Sequence, residues 1–182
     1  MRIILHSCCA PCLVYPLEDL RSEGHEVTAF FYNPNIHPYS EYLRRLDAFR
    51  LFTSQNGVPI IDEGSEDGLE QWLRQVVFRE KHRCRICFSM RLGKTAQVGE
   101  AKGFDAFSTT LLYSRFQSHK LLRSTGEAIS DEHGIPFHYR DWRKGWNQGV
   151  KKYRQTGLYR QKYCGCIYSE KERASRIVQL HR

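Results

Sequence analysis

The chain has 182 residues, 41% of them hydrophobic and 26% charged, and this composition is typical of a globular domain and not of a disordered segment. No apolar run approaches the ~20 residues that cross a bilayer, and Ile3-Ile4-Leu5 is too short for a signal peptide, so we expect one cytoplasmic domain over residues 1–182. The net charge of +8 is concentrated in residues 140–182, which carry 12 Lys and Arg but 3 Asp and Glu, whereas residues 1–139 carry 16 and 17.

Strands and helices alternate along the chain. Short β-rich apolar runs predict five strands, over residues 1–7, 25–32, 58–61, 105–112 and 135–139. Apolar residues at helical spacing predict helices over residues 13–24, 40–56, 66–78, 84–102, 119–133 and 169–180. Glycines end or follow three of these helices, at Gly24, Gly57 and Gly134.

This alternation favours an α/β fold with a Rossmann-like parallel sheet of about five strands and helices on both faces. Residues 140–182 form a basic, mainly helical C-terminal segment. Ligand sites in such sheets lie outside the carboxyl ends of the strands. Three groups are predicted to meet there: Cys8, Cys9 and Cys12 after the first strand, Asn33 and Asn35 after the second, and Thr109, Thr110 and Ser114 at the end of the fourth.

Seven cysteines carry the strongest chemical signal. They fall into three tight groups, which are Cys8, Cys9 and Cys12, then Cys84 and Cys87, then Cys164 and Cys166. An odd number of cysteines without an export signal argues against a disulfide framework, and in a reducing compartment such clusters bind metal or carry out redox chemistry. Thiolates are the ligands of iron–sulfur clusters and of zinc.

Alternatives to an iron–sulfur centre remain open. One structural zinc site needs four ligands and leaves three thiols unexplained. A metal-free dithiol oxidoreductase needs only one C-x-x-C pair, and buried free cysteines need no function. His6 and His37 lie beside the motifs as packing or hydrogen-bonding residues, or as ligands. Asp62, at the end of the third strand, leads into a helix or serves as a proton donor.

The vicinal pair Cys8-Cys9 raises a steric question. Successive side chains on a strand point to opposite faces, so the two thiols reach one ion only if the chain bends there. We therefore predict that Cys8 and Cys9 bridge two metal centres, with Cys12 sharing a centre with one of them.

The basic C-terminal segment predicts an RNA-binding surface. Lys151, Lys152 and Arg154 are candidates for phosphate contacts, and neighbouring aromatic residues such as Tyr163 could stack on bases. The alternative is a solvated basic face that maintains solubility.

Five motifs together resemble the QueH-type epoxyqueuosine reductases. They are His6-Ser7-Cys8-Cys9-Ala10-Pro11-Cys12, Tyr32-Asn33-Pro34-Asn35-Ile36, Cys84-x-x-Cys87-Phe88-x-x-Arg91-Leu92, Thr109-Thr110-Leu111-Leu112 and Gln161-x-Tyr163-Cys164-Gly165-Cys166-x-Tyr168-Ser169. The resemblance implies a HUP-type sheet and a cobalamin-independent, two-electron removal of the epoxide oxygen of epoxyqueuosine at the wobble position of tRNA, which gives queuosine and water. It also implies a [4Fe–4S] cluster with an additional iron ion nearby and an external electron donor.

The resemblance completes the set of candidate residues. Cys8, Cys9 and Asp62 are the catalytic candidates, and all seven cysteines are the metal-ligand candidates. The substrate candidates are Asn33, Asn35, Arg91, Thr109, Thr110, Ser114, Lys151, Lys152, Arg154 and Tyr163. The rival hypothesis is a zinc-stabilised RNA-binding or sulfur-carrier protein without redox turnover.

Overall fold

The computed structural model describes residues 1–61 and 68–180. Four parallel strands form the sheet in the order β3-β2-β1-β4. They are β1 (Arg2–His6), β2 (Glu26–Phe30), β3 (Ile60–Ile61) and β4 (Ala106–Thr109). In the register of the sheet, Ile4 of the central strand β1 lies between Thr28 and Phe107. The predicted α/β class with a parallel sheet is confirmed.

The fifth predicted strand contributes a single bridge. Phe137 pairs with Phe107 of β4 in the parallel sense, through one hydrogen bond from Phe107 N to Pro136 O (3.0 Å) and one from His138 N to Phe107 O (2.8 Å). Pro136 has no N–H that could donate the next hydrogen bond of the ladder, so the pairing is limited to this one bridge.

Seven α-helices surround the described part of the sheet. They are α1 (Ala10–Ser22), α2 (Tyr39–Gln55), α3 (Gly68–Val76), α4 (Arg83–Ala101), α5 (His119–His133), α6 (Trp146–Gln155) and α7 (Ile167–Leu180). Short 3₁₀ turns cover Glu80–His82, Thr110–Tyr113 and Trp142–Gly145. The predicted start of the third helix and Asp62 lie outside the described residues.

Two helical layers enclose the sheet. The crossover through α1 moves from β1 to β2, whereas the crossover that contains α4 runs back from β3 to β4. Since crossovers in parallel sheets are right-handed, these opposite directions put α1 and α4 on opposite faces. Helix α6 packs on α1, and α5 packs on α4. Residues 3–5 of β1 are therefore completely buried between the layers.

Candidate metal centre

Three cysteines converge where the chain leaves β1. The strand ends at His6, and Cys9 is the extended residue (φ −178°, ψ 162°) that precedes the first turn of α1. The Sγ atoms of Cys8, Cys9 and Cys12 all lie within 4.8 Å of one another, and those of Cys8 and Cys9 are 3.5 Å apart. All three side chains are buried. We call these three residues the cysteine triad.

The chain bends where Cys8 and Cys9 lie, which is the condition under which both thiols can reach one ion, and the bridging of two metal centres by this pair stays a prediction. Strand alternation stops at His6, and the bend at Cys8 turns both thiols toward the same point. Metal–sulfur bonds of about 2.3 Å in a tetrahedral site place sulfur atoms ~3.8 Å apart. The spacing within the triad therefore fits one metal ion, and its three sulfurs form a donor set for a soft metal.

The pKa values of the three thiols in the triad are shifted in different directions. Hydrogen bonds from Cys12 and Cys9 lower the pKa of the Cys8 thiol. Burial raises the pKa of Cys9, and Cys12 keeps a raised pKa because it donates to Cys8. The three thiols therefore do not ionise independently, and a bound cation would favour the loss of their protons.

Two polar side chains hold the triad in place. Thr110 accepts a hydrogen bond from the backbone N–H of Cys8 (3.0 Å) and its hydroxyl lies 3.4 Å from Cys8 Sγ. Gln161 Nε2 donates to Cys9 Sγ at 2.7 Å. Thr110 is completely buried, so it orients a thiol here and does not face solvent.

The other four cysteines approach from α4 and from the loop before α7. Cys84 and Cys164 are exposed, whereas Cys87 and Cys166 are buried. Burial raises the pKa of Cys87, Arg91 offsets part of this, and Cys166 and Cys8 lie close enough to raise it further. Within the described chain, no three of these four sulfurs lie within 4.8 Å of one another, so they are more widely spaced than the triad.

Arg91 links the cysteines to the sheet. Its buried guanidinium donates from Nη1 to Cys87 Sγ (3.4 Å), from Nε to His6 Nε2 (3.2 Å) and from Nη2 to Asn33 Oδ1 (2.7 Å). Nδ1 of His6 lies 2.8 Å from Thr109 Oγ1, within hydrogen-bond distance. Burial, followed by the charge of Arg91, lowers the pKa of His6 to about 3, so the ring is neutral at pH 7.

Several of the residues predicted to bind substrate are buried and make hydrogen bonds to other buried groups near the cysteines. Asn33 also donates from Nδ2 to Ser7 O (2.9 Å), and Thr109 Oγ1 accepts from Leu111 N (3.1 Å). Arg91, Asn33, Thr109 and Thr110 are all buried. We interpret these four side chains as positioning residues for the thiols.

The remaining candidates occupy different surroundings. Asn35 is buried, and its Oδ1 has no hydrogen-bond partner among residues 1–61 and 68–180. Ser114 Oγ accepts from Phe116 N at 3.2 Å. Lys151 and Arg154 are exposed, and Lys152 pairs with Glu18 at 2.6 Å.

A buried ion pair that the sequence did not indicate anchors the last cysteine loop. Arg45 of α2 donates from Nε to Glu41 (2.8 Å), from Nη1 to Cys164 O (2.8 Å) and from Nη2 to Tyr163 O (3.0 Å). The hydroxyl of Tyr163 donates to His37 O. Glu41 and Arg45 are four residues apart on a helix, and this spacing is the only feature of the sequence that indicates an ion pair between them.

Gly165 allows this loop to close. Its φ is +149°, and a Cβ there would lie 3.0 Å from Asn35 Nδ2 and 3.3 Å from Arg45 Nη1. Its carbonyl accepts from His37 N at 2.8 Å. The imidazole of His37 packs on Trp72 with ring centroids 5.1 Å apart, in agreement with its interpretation as a packing residue.

A second group of potential ligands lies near the start of β2. One ligand atom from each of Glu23, His25 and His138 lies within 4.8 Å of the others. However, Arg140 Nη1 lies 2.6 Å from Glu23 Oε1. This positive charge already pairs with the carboxylate and opposes a cation at that place.

Comparisons with known proteins identify similar chains. A family model described as Epoxyqueuosine reductase QueH matches residues 3–172. The protein of that name from Dehalococcoides mccartyi is 39% identical over 172 residues, which cover 94% of each chain. The one from Thermotoga maritima is 32% identical over 188 aligned positions, which cover 99% of this chain and 96% of the relative. Within the residues that the structure describes, no helix has the length and apolar character needed to cross a membrane.

Proposed function

Because this chain belongs to the epoxyqueuosine reductase QueH family, we propose that it reduces epoxyqueuosine in tRNA to queuosine at a metal centre built from its seven cysteines. The observation that carries the proposal is the cysteine triad, with three buried sulfurs within 4.8 Å of one another. Three buried thiols at this spacing are a donor set for a soft metal ion, which supports the metal centre that the proposal requires.

The reaction defines what the site must provide. Two C–O bonds of the epoxide break, one C=C bond forms, and the oxygen leaves as water after taking up two protons. Two electrons are therefore required, and an external reduced electron carrier supplies them. Asp62 is proposed as a proton donor by its position after β3, and this residue lies outside the described part of the chain.

The spacing of the sulfurs suggests how the cysteines divide. We assign Cys8, Cys9 and Cys12 to a single iron ion, because their spacing fits one tetrahedral centre. The remaining thiols belong to Cys84, Cys87, Cys164 and Cys166, and four thiolates are the usual ligand set of a [4Fe–4S] cluster. When bound, these groups supply electrons and an electrophile for the epoxide oxygen.

The protein's own residues hold the thiols in the required arrangement. Thr110 and Gln161 bind Cys8 and Cys9 from distant parts of the chain. Arg91 places a permanent positive charge 3.4 Å from Cys87 Sγ, which favours its thiolate form. Burial of these groups excludes water from the sulfurs, and the exposed Cys164 marks a side from which substrate can approach.

Residues 140–182 are proposed to complete both the metal site and the RNA surface. Their loop supplies Cys164 and Cys166, and their net charge favours phosphate binding. Neutralising Lys151, Lys152 and Arg154 together should weaken tRNA binding and reduce its salt slope, by about 0.9 for each duplex phosphate that is no longer neutralised, without changing the iron content. An unchanged salt slope would place the RNA surface elsewhere.

One experiment separates this function from its rival. The protein is purified without oxygen, its iron, zinc and sulfide are measured, and it is incubated with epoxyqueuosine-containing tRNA and a chemical reductant before mass spectrometry of the nucleosides. We expect iron, sulfide and formation of queuosine. A colourless protein that holds one zinc ion and leaves the nucleoside unchanged would instead support the zinc-stabilised RNA-binding protein.

Variants in α4 sharpen the test. Cys87→Ser should lower bound iron and abolish formation of queuosine. Ser89→Ala changes an exposed residue two positions further along the same helix and should alter neither the iron content nor the formation of queuosine. Equal iron content in wild type and Cys87→Ser would remove Cys87 from the metal site.

A further inference from the structure

An exposed phenylalanine lies next to the open side of the metal site. Phe116 is 82% exposed and belongs to the short loop between β4 and α5. The next residue, Gln117, donates from Nε2 to Sγ of the exposed Cys164 at 3.2 Å. An isolated apolar residue on a surface needs no explanation, but this one is adjacent in sequence to a residue that touches a metal-ligand candidate.

The loop presents Phe116 in a fixed position. Its backbone N–H donates to Ser114 Oγ at 3.2 Å, and Ser118 caps the start of α5 by accepting from Leu121 N. The loop is thus tied on both sides of Phe116. A side chain that is held rigid while exposed loses little conformational freedom when a ligand stacks on it.

The ring of Trp146 packs against the ring of Phe116. The two rings meet edge to face, with centroids 5.8 Å apart and an interplanar angle of 83°. Trp146 stacks on the buried Tyr113 at 5.0 Å, whose hydroxyl donates to Trp146 O at 2.8 Å. Close packing at Gly145, where a Cβ would lie 2.3 Å from the ring of Tyr15, fixes this tryptophan against α1.

Positive charge surrounds the aromatic pair. The guanidinium of the exposed Arg115 lies 5.8 Å from the centroid of the Trp146 ring, and the exposed Lys144 is two residues before that tryptophan. An aromatic face combined with cations is the pattern that binds single-stranded nucleic acid, because every base has a face for stacking and every nucleotide has a phosphate. A duplex would not expose its bases in this way.

We propose that Phe116, supported by Trp146 and Arg115, forms a stacking platform for an unpaired base of the tRNA anticodon loop beside the reacting nucleotide. The inference rests on the proposed function, which brings that loop to Cys164. Phe116 is a positioning residue in this proposal. It holds the neighbouring base and so fixes the register of the RNA, whereas the cysteines carry out the reaction.

Equilibrium binding tests the platform without turnover. The metal-loaded protein is titrated into a fluorescent anticodon stem-loop RNA, and anisotropy is recorded over a range of salt concentrations. Phe116→Ala should weaken binding about 5- to 150-fold, which corresponds to the ~1–3 kcal/mol of one stacked base. Phe116→Trp should retain binding. Phe78→Ala, which removes another exposed phenylalanine (94% exposed), is the matched control and should bind like wild type.

Salt dependence separates stacking from charge. Phe116→Ala should leave the slope of log Kd against log salt unchanged, and Arg115→Ala should reduce it by about 0.7, the value for one contact to a single strand. Iron content should be the same in all these variants. Placing 2-aminopurine next to the wobble nucleotide should give fluorescence quenching with wild type and a weaker effect with Phe116→Ala.

Three results would overturn the proposal. In the first, Phe116→Ala binds RNA like wild type. In the second, Phe78→Ala weakens binding as much as Phe116→Ala does. In the third, Phe116→Ala keeps its RNA binding but slows electron transfer from a donor protein, which would make the surface around Phe116 a protein-binding surface. These outcomes are independent of the activity itself. If wild type makes no queuosine, the proposed function fails, whereas wild-type RNA binding by Phe116→Ala alone refutes only the platform.

Discussion

Replacing Arg91 with glutamine is expected to destabilise the fold and the metal site together. The guanidinium donates hydrogen bonds to three buried acceptors, namely His6 Nε2, Cys87 Sγ and Asn33 Oδ1. Glutamine is shorter and uncharged, and its amide nitrogen has two N–H groups. At least one of the three acceptors would therefore remain buried without this donor.

The magnitude follows from burial. Removing one partner from a buried charged network costs about 3–5 kcal/mol, because the groups left behind remain desolvated. With a urea m-value of ~2 kcal/mol/M for a chain of this size, the midpoint of unfolding should fall by roughly 1.5–2.5 M. Arg91→Lys keeps the charge without the planar fork of donors, and its midpoint should lie between those of wild type and Arg91→Gln.

The assay is urea unfolding under anaerobic conditions, followed by tryptophan fluorescence, with iron measured on the same samples. Arg74→Gln is the matched control, since Arg74 pairs with Glu70 at 3.0 Å on the exposed face of α3, and such i,i+4 pairs contribute about 0.2–0.5 kcal/mol. If Arg91→Gln shifted the midpoint no more than Arg74→Gln and retained its iron, the central role of Arg91 would be refuted.

Three further predictions concern the same site. His6 has a pKa of about 3 in the folded protein, against an ordinary value of 6.5, so below pH 6.5 the unfolded state binds a proton that the folded state does not. The stability of the metal-free protein should therefore fall as the pH is lowered, by up to ~1.4 kcal/mol per pH unit. An equally steep loss in a His6→Gln variant would contradict this. Gly165→Ala should cost about 1–3 kcal/mol and lower bound iron, because φ is +149° and the space is filled; unchanged iron would be inconsistent with a strained ligand loop. Cys8→Ser and Cys9→Ser should both lose the mononuclear iron signal in Mössbauer spectra, whereas loss of the iron signal in one variant and of the cluster signal in the other would show that the pair bridges the two centres.

The order of strands and helices could be predicted because local patterns specify it. Apolar β-rich runs and helical spacing are properties of neighbouring residues, and right-handed crossovers then determine which edge of the sheet the strand ends share. The predicted meeting of the first cysteine group with Thr109 and Thr110 followed from this rule and is seen in the contact of Thr110 with Cys8. The predicted strand at 135–139 pairs through only one bridge, because the apolar pattern of these residues does not account for the N–H that Pro136 lacks.

Residues that hold the site from far away in the chain were not predictable in the same manner. Gln161 reaches Cys9 across 152 positions, and Arg45 reaches Cys164 across 119. Gln161 belongs to one of the motifs that carry the family resemblance, but the motif does not say what its side chain contacts, and glutamine and arginine are most often surface residues. Only the packed fold shows that these two side chains are turned inward, so no local pattern in one sequence distinguishes them from their solvated neighbours.

The vicinal cysteines show where a correct rule is applied beyond its range. Alternation of side chains holds while the backbone stays in the strand, and β1 ends at His6. Two residues later the chain must turn to start α1, so that Cys8 and Cys9 sit at a bend and Cys12 in the first helical turn. A strand-to-helix bend brings residues of both elements to one point without the strain expected within a strand. The motif C-C-x-x-C brings three thiols together because it spans this junction, and Thr110, the residue after β4, is positioned to orient its first thiol.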